Sequence, residues 1–115
     1  MTFDEVRAIA LSLPGVEEGP CYGTPGLRCR GKILGRLWPD GQVLVITRVS
    51  FDEREFLMAA DPETFFVTDH YRNYPSVLAR LDRLDAPTLQ RLLTQAWREV
   101  ASKAQLKAYD SRIVP

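Results

Sequence analysis

Apolar side chains recur at helical spacing near both ends of the chain. The first stretch predicts a helix over residues 2–13, and Thr2 with Glu5 has the sequence of a capping box at its start. The second predicts a longer helix that Asp85 caps and whose apolar stripe continues to Ala104, with a frayed tail after Ala108. We therefore expect one amphipathic helix at each end of the chain.

The segment from residue 15 to residue 48 has the pattern of a β-sheet, because short apolar runs alternate with turn residues. It predicts three or four strands, of which the first, around Cys21 and Tyr22, is short or irregular. Gly31 lies at the centre of a candidate hairpin. The run Val43–Thr47 is apolar on both faces, which is typical of a central strand.

A second helix and two more strands follow. Ser50 and Glu53 have the spacing of another capping box and open a helix over residues 51–60. Short strands are predicted at residues 65–68 and 76–81. The order of elements is α-β(3–4)-α-β(2)-α, which lacks the strand–helix alternation of a doubly wound parallel sheet. The predicted fold class is therefore α+β, with an antiparallel sheet covered by helices.

Length and composition are those of one folded domain. The chain has 115 residues, of which 45% are apolar and 26% charged, so we expect a single domain over 1–115. No apolar run reaches the roughly 18 residues of a membrane span, and the acidic start lacks the basic region of a signal peptide. We therefore expect a cytoplasmic protein without a membrane partner.

Positive and negative charges are segregated along the chain although the net charge is zero. Residues 51–69 are acidic apart from Arg54, whereas residues 28–48 contain one acid, Asp40, against a group of five cations: Arg28, Arg30, Lys32, Arg36 and Arg48. Zero net charge counts against strong non-specific binding to nucleic acid. Two interpretations of the basic segment stay open, a binding surface or a genome that favours arginine over lysine.

The segment Thr68–Pro75 holds more polar and aromatic groups than any regular amphipathic pattern explains. Its histidine, His70, has three candidate roles, namely bonding the backbone of the loop, contacting a ligand, or holding a metal. Tyr71 and Tyr74 are predicted either to stack on a ligand or to pack over the edge of the core. Arg72 is the side chain in this segment that the fold needs least, which makes it a candidate contact residue.

Sequence motifs for catalysis are missing. Asp69 and His70 are adjacent and are expected to point apart, and no Gly-x-Ser-x-Gly elbow accompanies them. Cys21 and Cys29, with one histidine, are too few for a zinc site, so we expect free, buried thiols. No phosphate-binding or dinucleotide fingerprint is present. We therefore expect a protein that is not an enzyme, with no cofactor and no metal.

Five segments of the chain carry a resemblance to a known family: Leu13–Glu18, Tyr22–Pro25, Gly31-Lys32, Thr68–Leu78 and Ala96–Arg98. Their order and spacing, over nearly the whole chain, resemble the MmcQ/YjbR-like family. The resemblance implies the α+β order given above and a YjbR-like fold. It also implies DNA binding, because members are commonly described as predicted DNA-binding proteins with a double-wing motif of two projecting β-hairpins. It brings no catalytic residues.

Two binding hypotheses follow. In the first, basic β-hairpins bind double-stranded DNA through the five cations of residues 28–48, with Tyr71, Arg72, Tyr74 and Arg98 alongside. In the alternative, the loop from His70 to Tyr74, with Arg98 and Lys32, binds a small anionic ligand or a protein partner. A pocket under residues 70–74 favours a ligand, a convex basic ridge favours DNA, and a flat apolar patch favours a protein.

Overall fold

Residues 1–113 form a six-stranded sheet and four α-helices in this computed structural model, which does not describe Val114 and Pro115, the last residues of the predicted 1–115 domain. The elements are α1 (Phe3–Leu11), β1 (Val16–Cys21), β2 (Thr24–Cys29), β3 (Lys32–Leu37), β4 (Val43–Thr47), α2 (Phe51–Ala60), β5 (Phe65–Phe66), a short 3₁₀ turn (Asp69–Tyr71), β6 (Ser76–Arg80), α3 (Ala86–Val100) and α4 (Lys103–Ile113). Within this range no helix is both long and apolar enough to cross a bilayer.

The strands lie in the order β1-β2-β3-β4-β6-β5, and every neighbouring pair is antiparallel. The first four form a meander. After α2, the chain adds β5 at the far edge and then returns with β6 between β4 and β5. This arrangement confirms the predicted α+β class with an antiparallel sheet. It also confirms that the strand Val43–Thr47 has a neighbour on each side.

Helices cover one face of the sheet. Leu27, Leu34 and Ile46 point from the strands into this layer and pack with Leu93 and Trp97 of α3, and all five are fully buried. Burial of an aliphatic side chain of this size stabilises the fold by roughly 1.5–3 kcal/mol. The main core therefore lies between α1, α3 and one face of the sheet.

The opposite face of the sheet, here called the open face, has no helix of residues 1–113 over it. A smaller apolar cluster lies there, formed by Val43, Val45 and Leu78, with Trp38 and Tyr71 packed against it. Alternation along β4 explains how both faces can be apolar, since Leu44 and Ile46 face the helices while their neighbours face away. The open face is thus covered only by loops.

Two-residue turns join β1 to β2 and β2 to β3. Tyr22 and Gly23 have φ of 52° and 80°, and Arg30 and Gly31 have φ of 54° and 77°. Positive φ at both central residues is the signature of a type I′ turn, which matches the twist of the flanking strands. The hairpin predicted at Gly31 is present. The first strand, expected to be irregular around Cys21 and Tyr22, is instead regular up to Cys21, because Tyr22 belongs to the turn.

The C-terminal helix differs from its prediction. It was expected to run as one element to Ala104, but it ends at Val100, and Ala101 is extended before α4 begins. Ser102 accepts a hydrogen bond from the backbone of Gln105, whose side chain accepts one in return from the backbone of Ser102. This capping box restarts the helix. The box predicted at Ser50 and Glu53 forms only in part, because Ser50 caps the backbone of Glu53 while the carboxylate of Glu53 accepts from Arg91. The fraying expected after Ala108 is not seen in the part that the structure describes.

Both cysteines are free and buried, as predicted. Cys21 lies at the end of β1 beside the open face, and Cys29 lies in the main core, where its thiol is 3.5 Å from the side-chain oxygen of Gln105. Burial raises the pKa of Cys29, which disfavours its thiolate.

The cap at Asp85 yields a pH-dependent stability. Hydrogen bonding by the side chain and the backbone N–H of Thr88 lowers the pKa of this carboxyl. Its contribution is therefore complete above the ordinary aspartate pKa and is lost as the pH falls through the lowered value. We expect Asp85→Ala to lower the free energy of unfolding by about 1 kcal/mol at pH 7. Denaturant titrations should show this difference shrinking in acid. Asp85→Asn, which keeps a neutral acceptor, should recover only part of this loss at pH 7 and should not show the decline in acid, and an acid-independent cost of Asp85→Ala would contradict the cap.

Candidate functional site

A pocket of about 490 Å³ lies on the open face of the sheet. Its size falls within the range of small-molecule sites. The floor comes from β3, β4 and β6, and the walls come from the β1–β2 turn and from the loop before β6. The lining residues are Tyr22, Ile33, Arg36, Val45, Thr47, His70, Tyr71, Tyr74 and Ser76. None of them is acidic.

Strand register explains which side chains reach the floor. Arg36 lies opposite Val45, and Thr47 lies opposite Ser76, so each pair points to the same face. The polar Thr47 is tolerated on this floor because its hydroxyl lies 2.6 Å from the carbonyl of Ile33 in the neighbouring strand. The floor is therefore apolar at its centre, with its hydroxyl groups towards one end.

The loop over the pocket is held by a buried arginine of α2. Nη1 of Arg54 donates to the carbonyls of Tyr71, Tyr74 and Ser76 at 3.2, 2.9 and 3.2 Å, and Nη2 donates to the carbonyl of Arg72 at 2.9 Å. Arg54 is 5% exposed and, within residues 1–113, has no carboxylate within salt-bridge distance. Four carbonyl dipoles take the place of a counter-ion.

The aromatic side chains of the loop point into the pocket. The ring of His70 meets that of Tyr71 edge-on, with 4.7 Å between centroids, and Tyr74 lies 6.5 Å from Tyr71. Tyr74 is 57% exposed. Among the described residues, neither the imidazole of His70 nor the hydroxyl of Tyr74 has a hydrogen-bond partner, and no cluster of three metal-ligating side chains occurs. The backbone of the loop is thus anchored, while these side chains stay available.

Arg36 is the charged group of the pocket. Its guanidinium lies 5.4 Å from the ring of Tyr22 and 5.6 Å from the ring of Trp38. Its hydrogen bonds to the hydroxyls of Thr24 and Tyr71 are both 3.4 Å, at the long end of the range. In the part of the chain that is described, no carboxylate comes within 4.0 Å of it. A half-buried positive charge therefore faces the pocket without a counter-ion.

Other cations lie near the pocket. Lys32 and Arg48 line a hollow that adjoins the pocket and shares Tyr74 with it. Arg28 lies opposite Ile33 of the pocket floor, and its other cross-strand neighbour is Glu17. None of these three cations forms a salt bridge with a described carboxylate. The described acidic residues nearby are Glu17, beside Arg28, and Asp69, which pairs with Arg72.

Three predicted binding residues lie elsewhere. The guanidinium of Arg30 donates to the carbonyl of Val100 at the end of α3, 3.0 Å away, on the helical side. Arg98 pairs with Asp110 of α4 at 3.0 Å, also on that side. Arg72 is exposed and pairs with a carboxylate of its own turn. The pocket and its adjoining hollow thus bring together Lys32, Arg36, Arg48, His70, Tyr71 and Tyr74, with Arg28 beside them.

Two residues that build the site were not nominated from the sequence. Tyr22 is 83% exposed at the tip of the β1–β2 turn, with a positive φ that costs a bulky residue of order 1 kcal/mol. A signal was available, because a residue followed by glycine, as in Tyr22-Gly23, fits the centre of a type I′ turn. Arg54 had no such signal, since its local sequence shows an arginine on an acidic helix and nothing of its burial.

Comparison with known proteins identifies relatives by sequence and by fold. A family model described as YjbR matches residues 11–99. Uncharacterized proteins of Mycobacterium tuberculosis and Mycobacterium bovis are 36% identical over 72 residues, which is 62% of this chain and 55% of theirs, so the chain spans about half the length of these relatives. The crystal structure of Deinococcus radiodurans protein DR2400, with a DUF419 domain, superposes with a TM-score of 0.75 over 93% of this chain and 86% of that one. At 22% identity, this likeness concerns the fold alone.

The clamp at Arg54 predicts a large effect on the loop. Arg54→Met keeps the length of the side chain but removes the guanidinium that donates to four carbonyls of the loop. We expect the free energy of unfolding to fall by about 3 kcal/mol and backbone amides of residues 70–76 to exchange faster with solvent. The matched control is Arg72→Met, which removes an exposed ion pair and should cost less than about 0.5 kcal/mol. Equal losses in the two variants, measured by denaturant titration, would refute the clamp.

Proposed function

The chain belongs to the YjbR family, as its motifs predicted, and we propose that it is a non-enzymatic binding protein whose open-face pocket takes a small anionic ligand. The observation that carries the proposal is Arg36, a half-buried guanidinium on the floor of a pocket that no acidic residue of the described chain lines. Membership of the family supplies the fold; the ligand is inferred from the chemistry of the pocket.

Electrostatics favour an anion at Arg36. Holding a positive charge away from water is unfavourable unless an opposite charge or good hydrogen bonds compensate. The two hydroxyls that contact Arg36 are neutral and distant, so they compensate weakly. A carboxylate or phosphate would instead form charge-assisted bonds, which are about twice as strong as neutral ones. Lys32 and Arg48 in the adjoining hollow add to the positive potential.

The shape of the pocket favours a small molecule. Ile33 and Val45 give an apolar floor, and the loop anchored by Arg54 gives one rigid wall. Such a combination of apolar surface with a few polar groups fixes the orientation of a bound molecule. Because four hydrogen bonds hold the loop backbone in place, little conformational entropy remains to be lost when a ligand binds.

A ligand screen with charge-matched variants tests this proposal. Thermal shift and calorimetry with nucleoside monophosphates, sugar phosphates and carboxylic acids should identify at least one anion that raises the melting temperature. We expect Arg36→Gln to weaken that anion at least ten-fold. Arg98→Gln makes the same charge change on the helical side and should leave the affinity unaltered. No stabilising anion, or equal weakening by both variants, would overturn the proposal.

Double-stranded DNA is a second candidate on the same face. It is favoured by four cations, Arg28, Lys32, Arg36 and Arg48, that form no salt bridge with a described carboxylate. Three of them, Arg28, Lys32 and Arg36, lie on the β2–β3 hairpin, and Arg48 follows β4. The net charge of zero limits the affinity expected for duplex DNA, because that affinity comes chiefly from the neutralisation of phosphates.

Salt dependence tests the DNA candidate. If all four cations meet phosphates, the logarithm of the affinity for a duplex should fall against the logarithm of salt concentration with a slope of about −3.6. Fluorescence anisotropy measures this slope. Lys32→Gln should reduce its magnitude by about 1, whereas Lys103→Gln, on α4, should not change it. Absence of binding at about 50 mM salt removes this candidate and leaves the small-ligand proposal standing.

A further inference from the structure

We propose that the ligand of the pocket is a nucleotide, whose phosphate binds Arg36 and whose base is held against Tyr22 and Tyr74. This inference rests on the proposed function and deepens it. The observation behind it is the number of aromatic rings around a guanidinium that no carboxylate of residues 1–113 pairs with, together with the strained backbone of one of the aromatic residues.

Rings from two separate elements line the pocket. Tyr22 stands on the β1–β2 turn, while His70, Tyr71 and Tyr74 come from the loop before β6. Tyr22 and Tyr74 are 83% and 57% exposed, so both present aromatic surface to solvent. A flat heteroaromatic group bound between the turn and the loop would cover these rings, and bases stack on aromatic side chains in this way whatever their identity.

The backbone of Tyr22 shows that this residue does not serve the stability of its turn. At φ of 52° in a type I′ turn, asparagine, aspartate and glycine are favoured, and a bulky aromatic residue is an outlier. Because Tyr22 is exposed, burial of its side chain does not offset the free-energy cost of this backbone conformation. Its ring contacts the guanidinium of Arg36. Backbone strain that burial of the side chain does not offset is typical of a residue with a binding role.

Arg30 provides the internal comparison. It occupies the equivalent position of the neighbouring type I′ turn, with φ of 54°, and its guanidinium bonds the end of α3. Its strain therefore has a visible structural purpose. Tyr22 has the same backbone geometry but directs its side chain to the pocket.

The phosphate and the base can be assigned to adjacent parts of the site. The guanidinium of Arg36 lies against the ring of Tyr22, so a phosphate bound there places an attached base within reach of the rings. Lys32 and Arg48 lie in the adjoining hollow, where a second phosphate would bind. The shared chemistry is that of a nucleotide, either free or as one unit of a single strand. A duplex would not suit this pocket, because its bases are already stacked and paired.

The decisive measurement compares adenosine 5′-monophosphate with ribose 5-phosphate by calorimetry or by amide shifts in solution. Both carry the phosphate, and one lacks the base. We expect the nucleotide to bind at least ten-fold more tightly. Tyr22→Asn should abolish most of that difference while raising the melting temperature by a few degrees, since asparagine suits the turn. Arg36→Gln should weaken both ligands, and Arg30→Asn, the matched turn variant, should weaken neither.

Each failure has a separate meaning. Equal affinity for the two phosphates in the wild-type protein would overturn the nucleotide inference and leave anion binding intact. Binding of neither, with no other anion detected, would overturn the proposed function as well. If Tyr22→Asn weakened ribose 5-phosphate as much as the nucleotide, Tyr22 would not be the contact for the base and the inference would fall.

Binding of oligonucleotides distinguishes a free nucleotide from one unit of a single strand. If the nucleotide is one unit of a strand, a ten-nucleotide single strand of deoxythymidylate binds at least ten-fold more tightly than its monomer. Lys32→Gln combined with Arg48→Gln then removes that gain in affinity. Should strand and monomer bind equally, and those variants have no effect on either, the ligand is a free nucleotide. Stronger binding of the base-paired duplex than of the single strand would contradict insertion of a base.

Discussion

The guanidinium of Arg54 is the group on which the open face of the molecule depends. It lies buried under the loop and binds the carbonyls of residues 71, 72, 74 and 76, so it joins α2 to the chain that enters β6. Buried carbonyls need donors, and in this loop backbone N–H groups reach the carbonyls of Tyr71, Tyr74 and Pro75. Because one side chain donates to four carbonyls as well, the loop can close over the sheet without becoming a strand itself.

Because the helices cover one face of the sheet, the opposite face is left to solvent and to the loop before β6. An antiparallel sheet commonly has a solvated, polar second face. Here that face carries Val43, Val45 and Leu78, with Trp38 beside them, and is only partly covered by the loop. The uncovered remainder combines an apolar floor with the guanidinium of Arg36. A face that served solubility alone would need neither feature.

Local rules predicted much of the fold. The capping box at Thr2, the N-cap serine of α2 and the N-cap aspartate of α3 all occur where the spacing placed them, because each depends on residues three positions apart. The box formed by Ser102 and Gln105 depends on the same spacing but was hidden in a continuing apolar stripe.

That omission had a consequence for the site. Without α4, Arg98 looked free to reach a ligand, whereas its partners Asp110 and Tyr109 both belong to α4. Burial of Arg54 depends on tertiary contacts that no local spacing reports.

Independent departures from local rules nevertheless meet in one place. Arg36 lacks a counter-ion, Tyr22 has a positive φ that suits another residue, and Arg48 has a positive φ of 57° and a buried Nε without a partner among residues 1–113. Sequences otherwise agree with their folds at each local level, so such departures mark positions selected for something besides stability. One of them alone could be accidental, as a positive φ is at many turns. Three that lie around one basic, aromatic pocket and its adjoining hollow have a common explanation in a bound anion.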